Sequence, residues 1–290
     1  MWIYKGWNMV LAPIPLGRQS ARVYSALTRG HVLSWLDVMG EVRTVARTLR
    51  RATVAQAYEV GQMAAVVAML PLHLLCPDGD GSEAQPASRP AQPHTAFVPR
   101  PVLLVHGLGA RNSSWSLIAR TLTARRLIVH AIAYQPFGTS VEQVADRLVV
   151  AVERILSETG ADRIHLVGHS LGGVVIAQAI ASGRLDGRVD TVVTLGSPFR
   201  GSPWANLLPL GVIPALRQGS PLLRRLATGP APDGVRWLAF TAELDMIVPS
   251  LSAVPTHADA ETIMVRRVGH LGLLSSQQVV GRIADALPAA

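Results

Sequence analysis

Apolar residues follow two different spacings along this chain, and the change comes near residue 100. Before it the steps are helical. Trp35, Val38, Val42, Val45 and Leu49 recur every three or four residues, which predicts one stripe of a helix over about 34–51. Arg43, Arg47, Arg50 and Arg51 fall largely off that stripe. A second helical pattern, VAQAYEVGQMAAVVAML, runs until Pro71 ends or kinks it. Its last part is apolar all round. It is short for a membrane span, with Glu59 and Gln62 before it and Pro71 and His73 inside the window. Two readings stay open for residues 1–76: a helical pair packed on the main domain, or a basic amphipathic hairpin lying on a membrane surface.

Residues 77–99 are rich in Pro, Ala, Ser and Gly and lack an apolar face, which predicts a linker. From residue 100 to 290 short apolar runs alternate with helical patterns. RPVLLVHG, RLIVHAIAY, DRIHLVGH, DTVVTLGSP, VRWLAFTAELD and ETIMVRRVGH read as six buried strands. A helix is expected to open near Asn112. Between the next strands, SVEQVADRLVVAVERILSETG puts Val144, Leu148, Val152 and Ile155 on one helix face and ends on glycine. LGGVVIAQAIASG predicts another helix, and a last one spans about Leu273 to Leu287. Alternation of this kind implies an α/β fold, a mostly parallel sheet with helices on both faces.

Composition narrows the function. The net charge is +8, carried by arginine. No aromatic-interleaved basic motif accompanies it, so nucleic acid is not an expected partner. Cys76 is the single cysteine, which excludes an intramolecular disulfide and a thiolate metal site. No cofactor motif and no metal-ligand pattern stands out. The N-terminal stretch is interrupted by Pro13 and Pro15, a poor secretory signal, so a cytoplasmic or peripherally membrane-associated protein is expected.

The chemistry centres on Ser170, within Gly168-His169-Ser170-Leu171-Gly172 at a strand-to-helix junction. Such a turn exposes a serine hydroxyl at the carboxyl edge of a sheet, with glycines letting the backbone pack closely and a helix N-terminus behind it. A serine that merely caps the helix is the alternative. Upstream, VLLVHGLG ends a strand in His106-Gly107. An acyl-transfer site needs two N–H groups aimed at the developing oxyanion, and Leu108 and Leu171 are placed to supply them. His106 reads as support for that loop. Asp245 in AELDMIVP and His270 in RRVGHLGLL follow Ser170 in the order Ser, Asp, His, at strand ends. His270 is the expected base and Asp245 the residue that orients it, with Glu243 the alternative acid.

The segments HGLG, GHSLGG, TLGSPFRGSPWA, LDMIVP and GHLGLL together resemble α/β-hydrolase-fold bacterial lipases and esterases, of the kind found in actinobacteria. The resemblance covers roughly residues 100–290. It implies the α/β-hydrolase fold, Ser170, Asp245 and His270 as triad, and Leu108 and Leu171 as oxyanion donors. The two usual opening strands of that fold are absent or replaced by the helical N-terminus. Residues 199–234 lie where such hydrolases insert a lid. Trp204, Leu207 and Leu208 there are candidate contacts for an acyl chain, with Leu210, Val212, Ile213 and Leu216 nearby. A loop that only covers the core is the other reading. The expected activity is hydrolysis of carboxylic esters, of acyl lipids in particular. An acyltransferase, thioesterase, amidase or polyester depolymerase on the same triad, and a membrane-associated binding protein without activity, are the alternatives.

Overall fold

The structure, a computed structural model, describes residues 57, 85–86, 98–207, 209–229, 232–256 and 259–288. Apart from Ala57, the helices expected over residues 1–76, most of the expected linker, and Leu208 lie outside the described residues.

Seven strands form one sheet in the order β1-β3-β2-β4-β5-β6-β7. They are β1 (Gln85–Pro86), β2 (Val102–Val105), β3 (Val129–Ile132), β4 (Ile164–His169), β5 (Val189–Leu195), β6 (Arg236–Ala242) and β7 (Ala260–Val265). The six strands β2 to β7 run parallel. The exception is β1, inside the expected linker, which pairs antiparallel with β3 at the sheet edge. An edge is where a proline, which has no N–H to donate, fits a ladder.

The alternation along each strand sorts the core into two layers. Leu103, Val105, Leu166, Val192 and Ala239 face α2 (Val141–Thr159) and α3 (Leu171–Ala181). Val102, Leu104, Val167, Val193 and Phe240 face α1 (Ser116–Ala124) and α6 (Gln277–Ala286). Both faces are covered, as a parallel sheet requires. In α2 the expected face of Val144, Leu148, Val152 and Ile155 is fully buried. Its ends are set chemically. Ser140 and Gln143 exchange side-chain and backbone bonds in a capping box, and Gly160 closes the helix at φ 74°.

Three expected elements come out shorter. The final helix divides at Ser276 into α5 (Gly272–Ser275) and α6, because the Ser276 hydroxyl caps the second piece. The strands β6 and β7 end at Ala242 and Val265, so Asp245 and His270 sit on the loops beyond them and not at strand ends. Ahead of α1 a 3₁₀ turn, Asn112–Trp115, begins where a helix was expected to open.

The segment after β5 is half core and half surface. Val212, Ile213 and Leu216, with Leu222 and Leu223 of α4 (Pro221–Thr228), join the layer against α2 and α3. Trp204, Leu207 and Leu210 stay exposed. The Trp204 indole N–H donates to the Met246 carbonyl at 2.7 Å, and the Val212 N–H to the Pro136 carbonyl at 3.1 Å. The segment is therefore tied to the loops after β3 and β6. Among the described residues no helix is long and apolar enough to cross a membrane.

Candidate active site

The site begins with the packing of α3 on the sheet. A Cβ on Gly172 would lie 2.0 Å from the Val105 carbonyl oxygen, and one on Gly168 2.6 Å from the Gly173 nitrogen. Only glycine allows helix and strands to approach this closely. The approach forces a sharp turn, and Ser170 makes it at φ 53° and ψ −121°. A positive φ is costly for a residue with a Cβ. The strain gains no helix cap, because the Ser170 side chain makes no capping bond. The hydroxyl is left standing at the carboxyl edge of the sheet, partly exposed, at the N-terminus of α3.

His270 and Asp245 reach this edge from the neighbouring loops. His169 pairs with Leu195 across the sheet, so Gly196 is the residue opposite Ser170. The Ser170 N–H donates to the Leu195 carbonyl at 2.8 Å. A Cβ on Gly196 would stand 3.0 Å from His270 Nδ1 and 3.1 Å from its Cε1. The imidazole thus lies over Gly196, beside the serine turn. Its Nδ1–H donates to Asp245 Oδ2 at 2.7 Å. A carboxylate only accepts, so this bond fixes the tautomer and leaves Nε2 with its lone pair. Asp245 Oδ1 accepts from the N–H groups of Ile247 and Val248 at 2.9 and 2.7 Å. The carboxylate is inaccessible to solvent and accepts three hydrogen bonds in all. Glu243, the alternative acid, accepts from the Arg267 N–H at 2.8 Å and makes no hydrogen bond to His270.

The loop at His106-Gly107, expected to supply an oxyanion donor, packs on the same turn. A Cβ on Gly107 would come within 2.9 Å of the Ser170 Cβ. Among the described residues the N–H groups of Leu108 and Leu171 donate to no other group. The loop is held from behind. Tyr134 donates its hydroxyl hydrogen to the His106 carbonyl at 2.5 Å, and its ring stacks on the His106 ring at 4.3 Å. The His106 Nδ1–H donates to the Gly107 carbonyl at 2.9 Å. His106, expected as a support for this loop, gains a stacking partner that local sequence does not reveal, because Tyr134 follows a different strand, β3.

Of the acyl-chain candidates, Trp204 and Leu207 are exposed at 42% and 66%. A cavity of about 390 Å³ lies apart from the serine, lined by Ile180, Leu185, Phe199, Leu226 and Trp237 among others, and contains none of Ser170, Asp245 and His270. Among the described residues no group of three or more His, Cys, Asp or Glu is placed to hold a metal ion.

Among the described residues four histidines besides His270 are buried: His106, His130, His165 and His169. Burial lowers the pKa of each, and for His169 the charge of the neighbouring His270 lowers it further. The folded chain binds these protons less readily than the unfolded chain, which protonates near pH 6.5. Below that pH the unfolded state binds more protons, so stability falls as pH falls, by up to about 1.4 kcal/mol per pH unit for each group. The thermal midpoint is expected to drop steadily from pH 7 to pH 5. A midpoint that stays flat or rises over that range refutes this.

Comparisons with known proteins agree with this architecture. A model of the alpha/beta hydrolase family matches residues 102–258. A triacylglycerol lipase of Vibrio cholerae is 33% identical over 140 residues, 47% of this chain and 43% of that one. A triacylglycerol lipase of Burkholderia plantarii is 29% identical over 133 residues, 43% of this chain and 36% of that one. The chain thus spans less than half the length of these curated relatives. Among solved structures, the mature form of a Bacillus licheniformis lipase superposes with a TM-score of 0.60, at 16% identity, over 71% of this chain and 96% of that one. Lipase B of Aspergillus fumigatus superposes at 0.57, also at 16% identity, over 71% of this chain and 59% of that one. By the family match over more than half its length, together with the doubly covered parallel sheet, this chain belongs to the alpha/beta hydrolase family.

Proposed function

We propose that this protein hydrolyses carboxylic esters, acyl lipids in particular, through an acyl-enzyme on Ser170. The observation that carries the reading is the buried Asp245 carboxylate bonded to His270 Nδ1, with the imidazole lying over the glycine opposite Ser170. His270 Nε2 takes the hydroxyl proton as Ser170 Oγ attacks the ester carbonyl. The tetrahedral oxyanion is met by the N–H groups of Leu108 and Leu171, aided by the positive end of α3. His270 then gives its proton to the leaving alcohol, the C–O bond breaks, and the acyl group remains on Ser170. Water deprotonated by His270 attacks the acyl-enzyme, releases the acid and returns the proton to Ser170. Asp245 stabilises the imidazolium in both halves.

The relatives named triacylglycerol lipase support the ester and lipid class. The exposed residues Leu207 and Leu210 offer apolar surface in the segment expected to act as a lid. If this segment contacts the acyl chain, Leu207→Ser with Leu210→Ser lowers kcat/KM on medium-chain p-nitrophenyl esters more than on the acetate. Each buried CH₂ is worth about 0.8 kcal/mol, roughly fourfold, so the gap widens with chain length. Equal losses at every length mean the segment lies off the acyl path. Running the same series with alcohol, amine or acyl-CoA acceptors separates hydrolysis from acyl transfer, since any nucleophile that reaches the acyl-enzyme can resolve it.

A lipid surface is the proposed partner, supported by the arginine-bearing amphipathic pattern over 34–51. Binding of the full chain to anionic vesicles is expected to weaken in high salt and when Arg43, Arg47, Arg50 and Arg51 become Gln. Binding unaffected by both changes removes the membrane reading.

A further inference from the structure

His169, directly before Ser170, has no part in the mechanism above, yet it is only 2% exposed. Its Nε2 lies 3.2 Å from the main-chain carbonyl oxygen of His270. A carbonyl only accepts, so Nε2 carries the hydrogen and donates. Burial, then the charge of the neighbouring His270, and more weakly His106, keep the His169 ring neutral. Its Nδ1 is therefore bare, and no donor reaches it among the described residues. The two imidazole rings stand 4.7 Å apart at 49°. On its other side, His169 Nδ1 is 3.1 Å from where a Cβ on Gly107 would be. The ring fills the space between the oxyanion-loop glycine and the backbone of the base.

His270 needs such a hold. It sits on a loop beyond the end of β7 at Val265, while Ser170 sits at the end of β4, with β5 and β6 between those strands in the sheet. The Asp245 bond fixes the tip of the His270 side chain but not its main chain. Transfer of a proton from serine to imidazole is steeply sensitive to their separation, and a displacement of about 1 Å can cost on the order of 10²-fold.

We infer that His169 is a positioning residue: its Nε2–H clamps the His270 main-chain carbonyl to the strand end that carries Ser170, and so sets the spacing between nucleophile and base. This rests on the reading of Ser170 and His270 given above. A histidine that only fills space would be replaceable by any side chain of like volume. A clamp requires a donor at the right distance. Phenylalanine keeps the ring and removes the donor. Glutamine keeps an N–H about where Nε2 stands.

The experiment measures kcat, KM and thermal midpoint for the full chain and for His169→Phe, His169→Gln and Ser170→Ala, on p-nitrophenyl butyrate. His169→Phe is expected to lose roughly 10- to 100-fold in kcat with KM unchanged, and His169→Gln to recover most of that loss. Equal impairment of the two variants, or wild-type kcat in His169→Phe, overturns the clamp. If His169→Phe does not fold, His169→Met against His169→Gln makes the same comparison. Full activity in Ser170→Ala would bring down the triad reading and the clamp with it. An inactive Ser170→Ala beside a fully active His169→Phe would remove the clamp alone.

Discussion

Ser170→Ala is expected to lower kcat for ester hydrolysis on the order of 10⁴-fold or more while leaving the fold intact. The fold survives because the hydroxyl caps no helix, and alanine fits wherever the serine Cβ already does. Stability should even be little changed, since both residues suffer the positive φ of this turn equally. The chemistry does not survive, because the proposed acyl-enzyme forms on the hydroxyl that alanine lacks. A fluorophosphonate probe gives an independent reading. It should label the wild-type chain and not the variant. Retention of more than about a tenth of the activity would contradict a loss of the size expected for a nucleophile.

The second large effect concerns the acid. Asp245→Asn keeps the shape of the side chain but removes its charge. The amide can donate to His270 Nδ1, which would push the hydrogen to Nε2 and leave the imidazole unable to accept from Ser170. The loss in kcat is expected on the order of 10⁴-fold near neutral pH. His270→Ala removes proton transfer altogether and should cost more. Glu243→Gln is the control. Its side-chain carbonyl can still accept from the Arg267 N–H, and it makes no hydrogen bond to His270, so the rate should be unchanged. A silent Asp245→Asn beside an impaired Glu243→Gln would reverse the assignment.

Much of this geometry was legible before any coordinates. The strand and helix alternation from residue 100 onward needs only local periodicity, and six parallel strands follow from it. The Gly-x-Ser-x-Gly turn is also local, because strand, turn and helix are consecutive in the chain. Less was legible where surface and core residues share one composition. In 199–234 the apolar residues look alike along the sequence, but Val212, Ile213 and Leu216 enter the core while Trp204, Leu207 and Leu210 do not. Prolines and glycines break the periodicity that would have sorted them.

The sequence by itself determined the α/β architecture, the turn that lifts Ser170, and the chain order of Ser170, Asp245 and His270. These depend on residues adjacent in the chain, where sterics and hydrophobic periodicity act directly. Only the tertiary structure decided which acid faces the imidazole. Asp245 and Glu243 lie two residues apart, and the path of the loop after β6 turns one carboxylate to His270 and the other to the Arg267 backbone. It also decided that His169 meets the His270 carbonyl and that Tyr134 backs His106. Those contacts join residues far apart in the chain, and the order of strands in the sheet, not any local preference, brings them within a hydrogen bond of each other.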